Sequence, residues 1–151
     1  MFIYRTPMSM AILLLYVVDI ILTASTASLL FELISLLKKE FLMTDLGDLH
    51  YFLGIIEKVN FAGLFLNQSK YIHELLDRSG MTDCKPVATP LDSRKKLAAN
   101  DSPRYSDPSS YRSIVSALQY VTFTHLDISF PVQQVCQYMH APTINHFQAV
   151  K

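Results

Sequence analysis

Leu13-Leu14-Leu15-Tyr16-Val17-Val18-Asp19-Ile20-Ile21-Leu22-Thr23 consists of two short runs, rich in leucine and β-branched residues, around a tight centre that ends in one acid. This pattern predicts a buried strand, a turn and a second buried strand, with a lone carboxylate where the chain reverses. Val18 is read as part of a half-buried strand, which suits a β-branched residue. Upstream, Phe2-Ile3-Tyr4-Arg5 is a short strand and Thr6-Pro7-Met8-Ser9 a loop into the hairpin. Downstream, Ser25 or Thr26 caps a helix whose apolar positions Leu30, Leu33, Ile34, Leu37 and Phe41 recur at helical spacing. Lys38 and Lys39 fall in its last turns, where positive charge suits the helix dipole.

Met43-Thr44-Asp45-Leu46-Gly47-Asp48 reads as a turn with Gly47 at the permissive position. Asp45 and Asp48 could form a paired-carboxylate site, but turn and cap chemistry accounts for them equally well. Leu49 to Val59 is strand-rich, and Asn60-Phe61-Ala62-Gly63 turns it into Leu64-Phe65-Leu66 as a hairpin. Asn67 or Ser69 opens a helix with Tyr71, Ile72, Leu75 and Leu76 on one face, closed by Arg78 and Gly80.

From Asp83 to Pro108 the composition shifts to Pro, Ser, Asp and Lys, as in a surface linker. Its Arg94-Lys95-Lys96 triplet is a candidate phosphate contact, against the plainer reading of a solvated basic run. Asp107-Pro108 starts a helix striped by Tyr111, Ile114, Val115, Leu118 and Val121. Asp127 is expected to cap the next helix, which carries Ile128, Val132, Val135, Cys136 and Met139 and has Pro131 in its first turn. A last helix begins near Asn145.

Half of the 151 residues are apolar and 13 Lys/Arg balance 13 Asp/Glu, which excludes a disordered charged tail. Through Leu75 there are five basic against seven acidic residues, and from Leu76 eight against six. That tilt is slight, and a neutral chain does not carry the phosphate-neutralising charge of a tight nucleic-acid binder. Cys84 and Cys136 fit no disulfide framework and read as free thiols of a reducing, intracellular compartment, cytoplasm or nucleus.

Arg5 followed by apolar Ala11–Leu22 and small residues 24–27 has the layout of a signal peptide, and the run from Met10 to Leu37 is long enough to span a membrane. Asp19 opposes both, because an aspartate at the centre of a span costs roughly 2.5–3.5 kcal/mol. No membrane association is favoured. Cys136 and His140 are four apart, with His146 nearby, and could supply part of a zinc site. A structural site takes four ligands, however, so a core thiol and helix-end histidines is the simpler reading. There is no glycine-rich phosphate loop, nucleophile elbow or His-Glu-x-x-His pattern.

Tyr16-Val17-Val18-Asp19 resembles the polymerase hairpin of reverse transcriptases, in which a tyrosine and any residue precede two aspartates. The likeness to the copia-type retrotransposon version continues in order through 43–54 (MTDLGDLHYFLG), 63–81 (GLFLNQSKYIHELLDRSGM), 85–91 (KPVATPL), 111–127 and His146-Phe147. It implies an α+β fold: a partial palm over 1–83 with a primer-grip-like hairpin at Leu49–Leu66, a proline-rich linker over 84–106, and a truncated helical thumb or connection segment over 107–151. It also implies Mg²⁺ as cofactor and an RNA/DNA template-primer duplex as partner.

In the family, three aspartates hold two magnesium ions that activate the primer hydroxyl and stabilise the leaving pyrophosphate. Here Val18 replaces the first hairpin aspartate, and the strand carrying the third falls before Met1. Asp19 remains as the vestigial catalytic and metal-ligating candidate, with Tyr16, Val17 and Val18 completing the degenerate motif. The expectation is a copia-type reverse-transcriptase fragment without polymerase activity. The alternatives are a non-catalytic remnant that binds nucleic acid or protein weakly or self-associates, and a small secreted or membrane-anchored protein.

Overall fold

The computed structural model describes residues 1–86, 97–99 and 102–151. The architecture is α+β, with two three-stranded antiparallel sheets and, among the described residues, five α-helices. The chain divides into two compact units, Met1–Leu49 and His50–Lys151. Composition instead drew the first boundary at 83, where proline and charge become dense.

In the first unit, β1 (Phe2–Arg5), β2 (Met10–Tyr16) and β3 (Asp19–Ala24) form a meander in that order. Registers Phe2↔Leu13↔Leu22 and Tyr4↔Ala11↔Ala24 set one face, and Ile3↔Ile12↔Thr23, Leu14↔Ile21 and Tyr16↔Asp19 the other. Helix α1 (Ala27–Glu40) follows, with the Thr26 hydroxyl accepting from the Leu29 N–H as its N-cap. Leu33 and Leu37 of α1 share a groove with Phe2, Tyr4, Ala11 and Leu13, so the helix covers the first face. The apolar run of 10–37 is thus spent on two strands and a helix. Among the described residues no helix is long and apolar enough to cross a membrane.

Asp45 accepts a hydrogen bond from the Gly47 N–H at 3.0 Å and pairs with Lys38 at 3.3 Å. These two contacts, the backbone one first, hold its carboxyl below the usual carboxylate range. That is turn chemistry, with Gly47 in the left-handed region at φ +79°.

The second unit opens with β4 (Tyr51–Phe52), β5 (Ile55–Asn60) and β6 (Gly63–Asn67). The stretch 49–59 that reads as one strand-rich segment is therefore itself a hairpin, with Leu53 and Gly54 as a two-residue loop at φ +49° and +82°. Positive φ at both positions is the favoured geometry for such a loop, although the first is usually asparagine or glycine. The Tyr120 hydroxyl donates to the Leu53 carbonyl and holds the turn. A Cβ at Gly54 would sit 3.2 Å from the Tyr71 ring, so the glycine allows both the φ and the close approach.

Helix α2 (Ser69–Arg78) ends in a Schellman motif: Gly80 N–H donates to Asp77 and Met81 N–H to Leu76. Helix α3 (Pro108–Val121) starts as its sequence predicts, with the Asp107 carboxylate accepting from the Ser109 and Ser110 N–H groups. Asp127 does not cap the next helix. It lies inside a 3-10 turn (Leu126–Ile128) that runs directly into α4 (Ser129–Cys136), whose N-cap residue is Ile128 in helical conformation. A side-chain cap needs an extended N-cap residue, and the turn leaves no room for one. Pro131 falls at the third helical position, where its missing N–H costs no intrahelical bond. Helix α5 (Ile144–Val150) closes the chain.

The core of this unit lies between α2, α3, α4 and α5: Leu75, Ile114, Ala117 and Val121 form one cluster and Tyr111, Val115 and Val135 another. Gln68, just before α2, is fully buried. Its amide donates to the Tyr120 carbonyl and accepts from Thr124 Oγ1, tying the start of α2 to the end of α3.

The described ends of the expected linker are not free of the fold. Leu97 packs on the second cluster, and its carbonyl accepts from the Tyr138 hydroxyl. Tyr105 N–H donates to Pro142, Ile144 N–H to Pro103 and Asn145 N–H to Ser102 Oγ, clamping 102–105 onto 142–145. Residues 87–96, including the Arg94-Lys95-Lys96 triplet, lie outside the described residues.

Candidate functional site

Tyr16 and Asp19 are paired across the tip of the β2–β3 hairpin, on the face opposite α1, and Val17-Val18 is the two-residue loop between them. Val18 is therefore not a strand residue. It is a turn residue, 86 % exposed, beside Val17 at 81 %. Val17 takes φ +53° at the first loop position, where hairpins of this kind favour glycine. A β-branched residue at positive φ is strained, at a cost of order 1–3 kcal/mol.

The tip thus presents one exposed carboxylate, one half-exposed phenol and two valines. This donor set does not fit a magnesium pair, which takes bridging carboxylates in octahedral geometry. Asp19 offers one carboxylate, Tyr16 a neutral phenol, and Val17 and Val18 no donor atom in their side chains.

The zinc reading fails on His146. This side chain is fully buried, and both of its ring nitrogens are engaged. Nδ1 accepts from the Thr143 N–H at 3.0 Å, which places the ring proton on Nε2, and Nε2–H donates to the Ala98 carbonyl at 3.0 Å. No lone pair is left for a metal. Burial also raises the Cys136 thiol above its ordinary pKa, the direction of an unreactive thiol.

A second surface lies on the segment expected as a primer-grip-like hairpin, Leu49–Leu66, although its individual residues were not singled out in the sequence. Tyr51, Ile56, Lys58, Phe65 and Asn67 share one face of the β4–β5–β6 sheet by register. Lys58 pairs with Phe65, and Lys70 from the first turn of α2 lies 4.9 Å over the Tyr51 ring. Tyr51 and Phe65 are 46 % and 58 % exposed, so one ammonium group lies over an accessible ring and a second lysine is the cross-strand neighbour of another. The signal was the alternation along 55–60, which puts Lys58 on the Tyr51 face once the Leu53-Gly54 turn is known.

The reverse transcriptase (RNA-dependent DNA polymerase) family matches residues 1–93, and the chain belongs to this family. It corresponds to a segment of the copia-type retrotransposon Pol polyprotein. It is 41 % identical over 151 residues to the retrovirus-related Pol polyprotein from transposon RE1 of Arabidopsis thaliana, covering all of this chain and 10 % of that one. It is 35 % identical over 149 residues to the corresponding polyprotein from transposon TNT 1-94 of Nicotiana tabacum, covering 93 % of this chain and 11 % of the relative. An uncharacterized mitochondrial protein of Arabidopsis thaliana is 51 % identical over 139 residues, covering 92 % of this chain and 58 % of that protein. The chain thus spans about a tenth of the polyproteins and little over half of the mitochondrial protein. No solved structure matches.

Proposed function

We propose that this chain is the hairpin, primer-gripping and thumb-side portion of a copia-type reverse transcriptase, that it has no polymerase activity of its own, and that it keeps weak contact with an RNA–DNA duplex. The observation that carries the first part is the Val17-Val18 loop beside Asp19: the position of the first hairpin acid holds an exposed valine with no ligand atom. In this reading β4–β6 is the primer-gripping part, and α3–α5 are thumb or connection. The deciding experiment is primer extension on an RNA template with Mg²⁺ and all four deoxynucleotides. No extension is expected, and product above a no-protein control would overturn the assignment.

Val18→Asp restores the family residue and should not restore extension, because the tip would then offer two adjacent carboxylates where the family's metal pair is held by three. The fold should tolerate the change. Val18 is an exposed turn residue, a position where aspartate is favoured, so urea melts should shift by less than about 0.5 kcal/mol. Extension by the Val18→Asp chain, or marked stabilisation of it by millimolar Mg²⁺, would mean that the tip holds a competent metal site.

Nucleic-acid contact is assigned to the Tyr51–Lys58–Phe65 face with Lys70, where cations beside accessible rings suit phosphates and bases together. Replacing Lys58 and Lys70 with Ala should weaken duplex binding by a similar factor for every sequence. It should also flatten the slope of log K against log[salt] by about two, roughly one per lost phosphate contact. Fluorescence anisotropy across a salt series checks this, and an unchanged slope would remove this face from the account.

A further inference from the structure

The outer edge of β1 is the least protected feature of the first unit. Among the described residues β1 is hydrogen-bonded only to β2, and its other row of backbone groups has no strand beside it within the sheet. Phe2, Ile3 and Tyr4 are 65 %, 57 % and 52 % exposed. None of the devices that keep edges apart, such as lysine, proline or a bulge, interrupts these three residues; Arg5 is the only charge, at the end of the strand. The opposite edge, β3, begins with the charge of Asp19 and leads directly into α1.

We propose that the β1 edge is an interface for a second copy of this chain, joined antiparallel about a two-fold axis through Ile3. The strand is complementary to itself in this register. Directly opposed residues must point to the same side of a continuous sheet. Of the registers this allows, Ile3 opposite Ile3 with Phe2 opposite Tyr4 is the one that pairs three apolar residues and keeps Arg5 from facing Ile3. On the α1 side, each Phe2–Tyr4 aromatic pair then meets the mouth of a groove of about 240 Å³ lined by Phe2, Tyr4, Leu33 and Leu37. The groove is apolar and large enough for part of an aromatic ring. The two Arg5 side chains fall at opposite ends of the joined strands, and a formal net charge of zero puts no long-range repulsion between copies. A two-fold contact closes on itself, so the product is a dimer with a six-stranded sheet rather than a fibre. Three residues of each strand, Phe2, Ile3 and Tyr4, pair with their counterparts, so the contact is small and reversible.

The test is sedimentation velocity on the full chain at roughly 50 µM, a concentration suited to a weak contact. The wild type should sediment at twice the 17.2 kDa of one chain. Ile3→Lys and Ile3→Glu each put like charges opposite one another on the axis and should be monomeric; mixed in equal amounts they should recover the dimer. Leu14→Lys charges the open sheet face away from the edge and should leave the dimer intact. A monomeric wild type, particles larger than a dimer, loss of association in Leu14→Lys, or no recovery on mixing would each overturn the proposal. Amide hydrogen exchange needs no variant: β1 should gain protection as concentration rises, and concentration-independent exchange would count against the interface.

Discussion

Tyr111→Ala should largely unfold the unit spanning His50–Lys151. Tyr111 is fully buried in the cluster it forms with Val115 and Val135, and its hydroxyl donates to the Val135 carbonyl at 2.7 Å. Truncating a buried aromatic ring costs about 3–5 kcal/mol, because the neighbours cannot collapse fully into the void. Loss of the hydroxyl's hydrogen bond adds only about 0.5–1.5 kcal/mol, because the Val135 carbonyl still accepts from the Tyr138 N–H. A domain of this size has only about 5–15 kcal/mol in total. Urea titration followed by far-UV circular dichroism should show the helical signal lost at much lower denaturant, and a shift worth under 1 kcal/mol would mean that the site is not packed as described.

Tyr111→Phe separates the two effects. It keeps the ring and should lose only about 0.5–1.5 kcal/mol, the part due to the hydrogen bond. The same hydroxyl makes the unit sensitive to alkali. Burial first, then the proximity of Cys136 and Tyr138, pushes its pKa above the ordinary 10.0. A raised pKa means that the neutral form is favoured in the fold. Its contribution is therefore complete below the unfolded value of 10.0 and declines as pH rises through and beyond it. Tyr111→Phe should lack that alkaline component.

What could be read from the chain was its local chemistry. Thr26 before α1, Asp107-Pro108 before α3 and Gly80 after α2 act within one turn of the backbone they cap, and all three do so. The β2–β3 hairpin was legible for the same reason, since Val17-Val18 is bounded by matched apolar runs, but its strands are largely exposed rather than buried, with Ala11 alone fully covered. Asp127 misled because a 3-10 turn leaves no extended residue before α4, and nothing in Leu126-Asp127-Ile128 announces that turn. The Leu53-Gly54 turn was hidden because leucine is a poor choice for positive φ, and the tyrosine that holds it is 67 residues away in sequence. Composition located the proline-rich stretch but not the division at Leu49, which follows from where contacts stop rather than from which residues are present. At the candidate site the hairpin tip was readable, whereas the Lys58–Tyr51 face depends on a strand register that only the fold supplies.

His146→Ala should be nearly as damaging as Tyr111→Ala, for a reason that periodicity does not reveal. His146 occupies the third position of α5 and completes a capping box. Its own N–H donates to Thr143 Oγ1, and its Nδ1 accepts from the Thr143 N–H. Its other nitrogen reaches the Ala98 carbonyl, 48 residues earlier, and its ring stacks on Tyr138 at 3.8 Å between centroids. One side chain thus caps a helix, anchors the segment leading into α3 and fills the core beside α4.

Alanine would take away the imidazole that bridges the Thr143 N–H and the Ala98 carbonyl and open a cavity in the core, together costing about 3 kcal/mol or more. His146→Gln should recover part of this, because glutamine at that position makes the same reciprocal cap without matching the aromatic stack. Urea melts should therefore rank wild type above His146→Gln and His146→Gln above His146→Ala. Added zinc should shift none of the three, since the ring has no free nitrogen to offer. Equal stability of the two variants would show that the cap contributes nothing. A zinc-dependent rise in the wild type alone would show that the imidazole is not committed to Thr143 and Ala98.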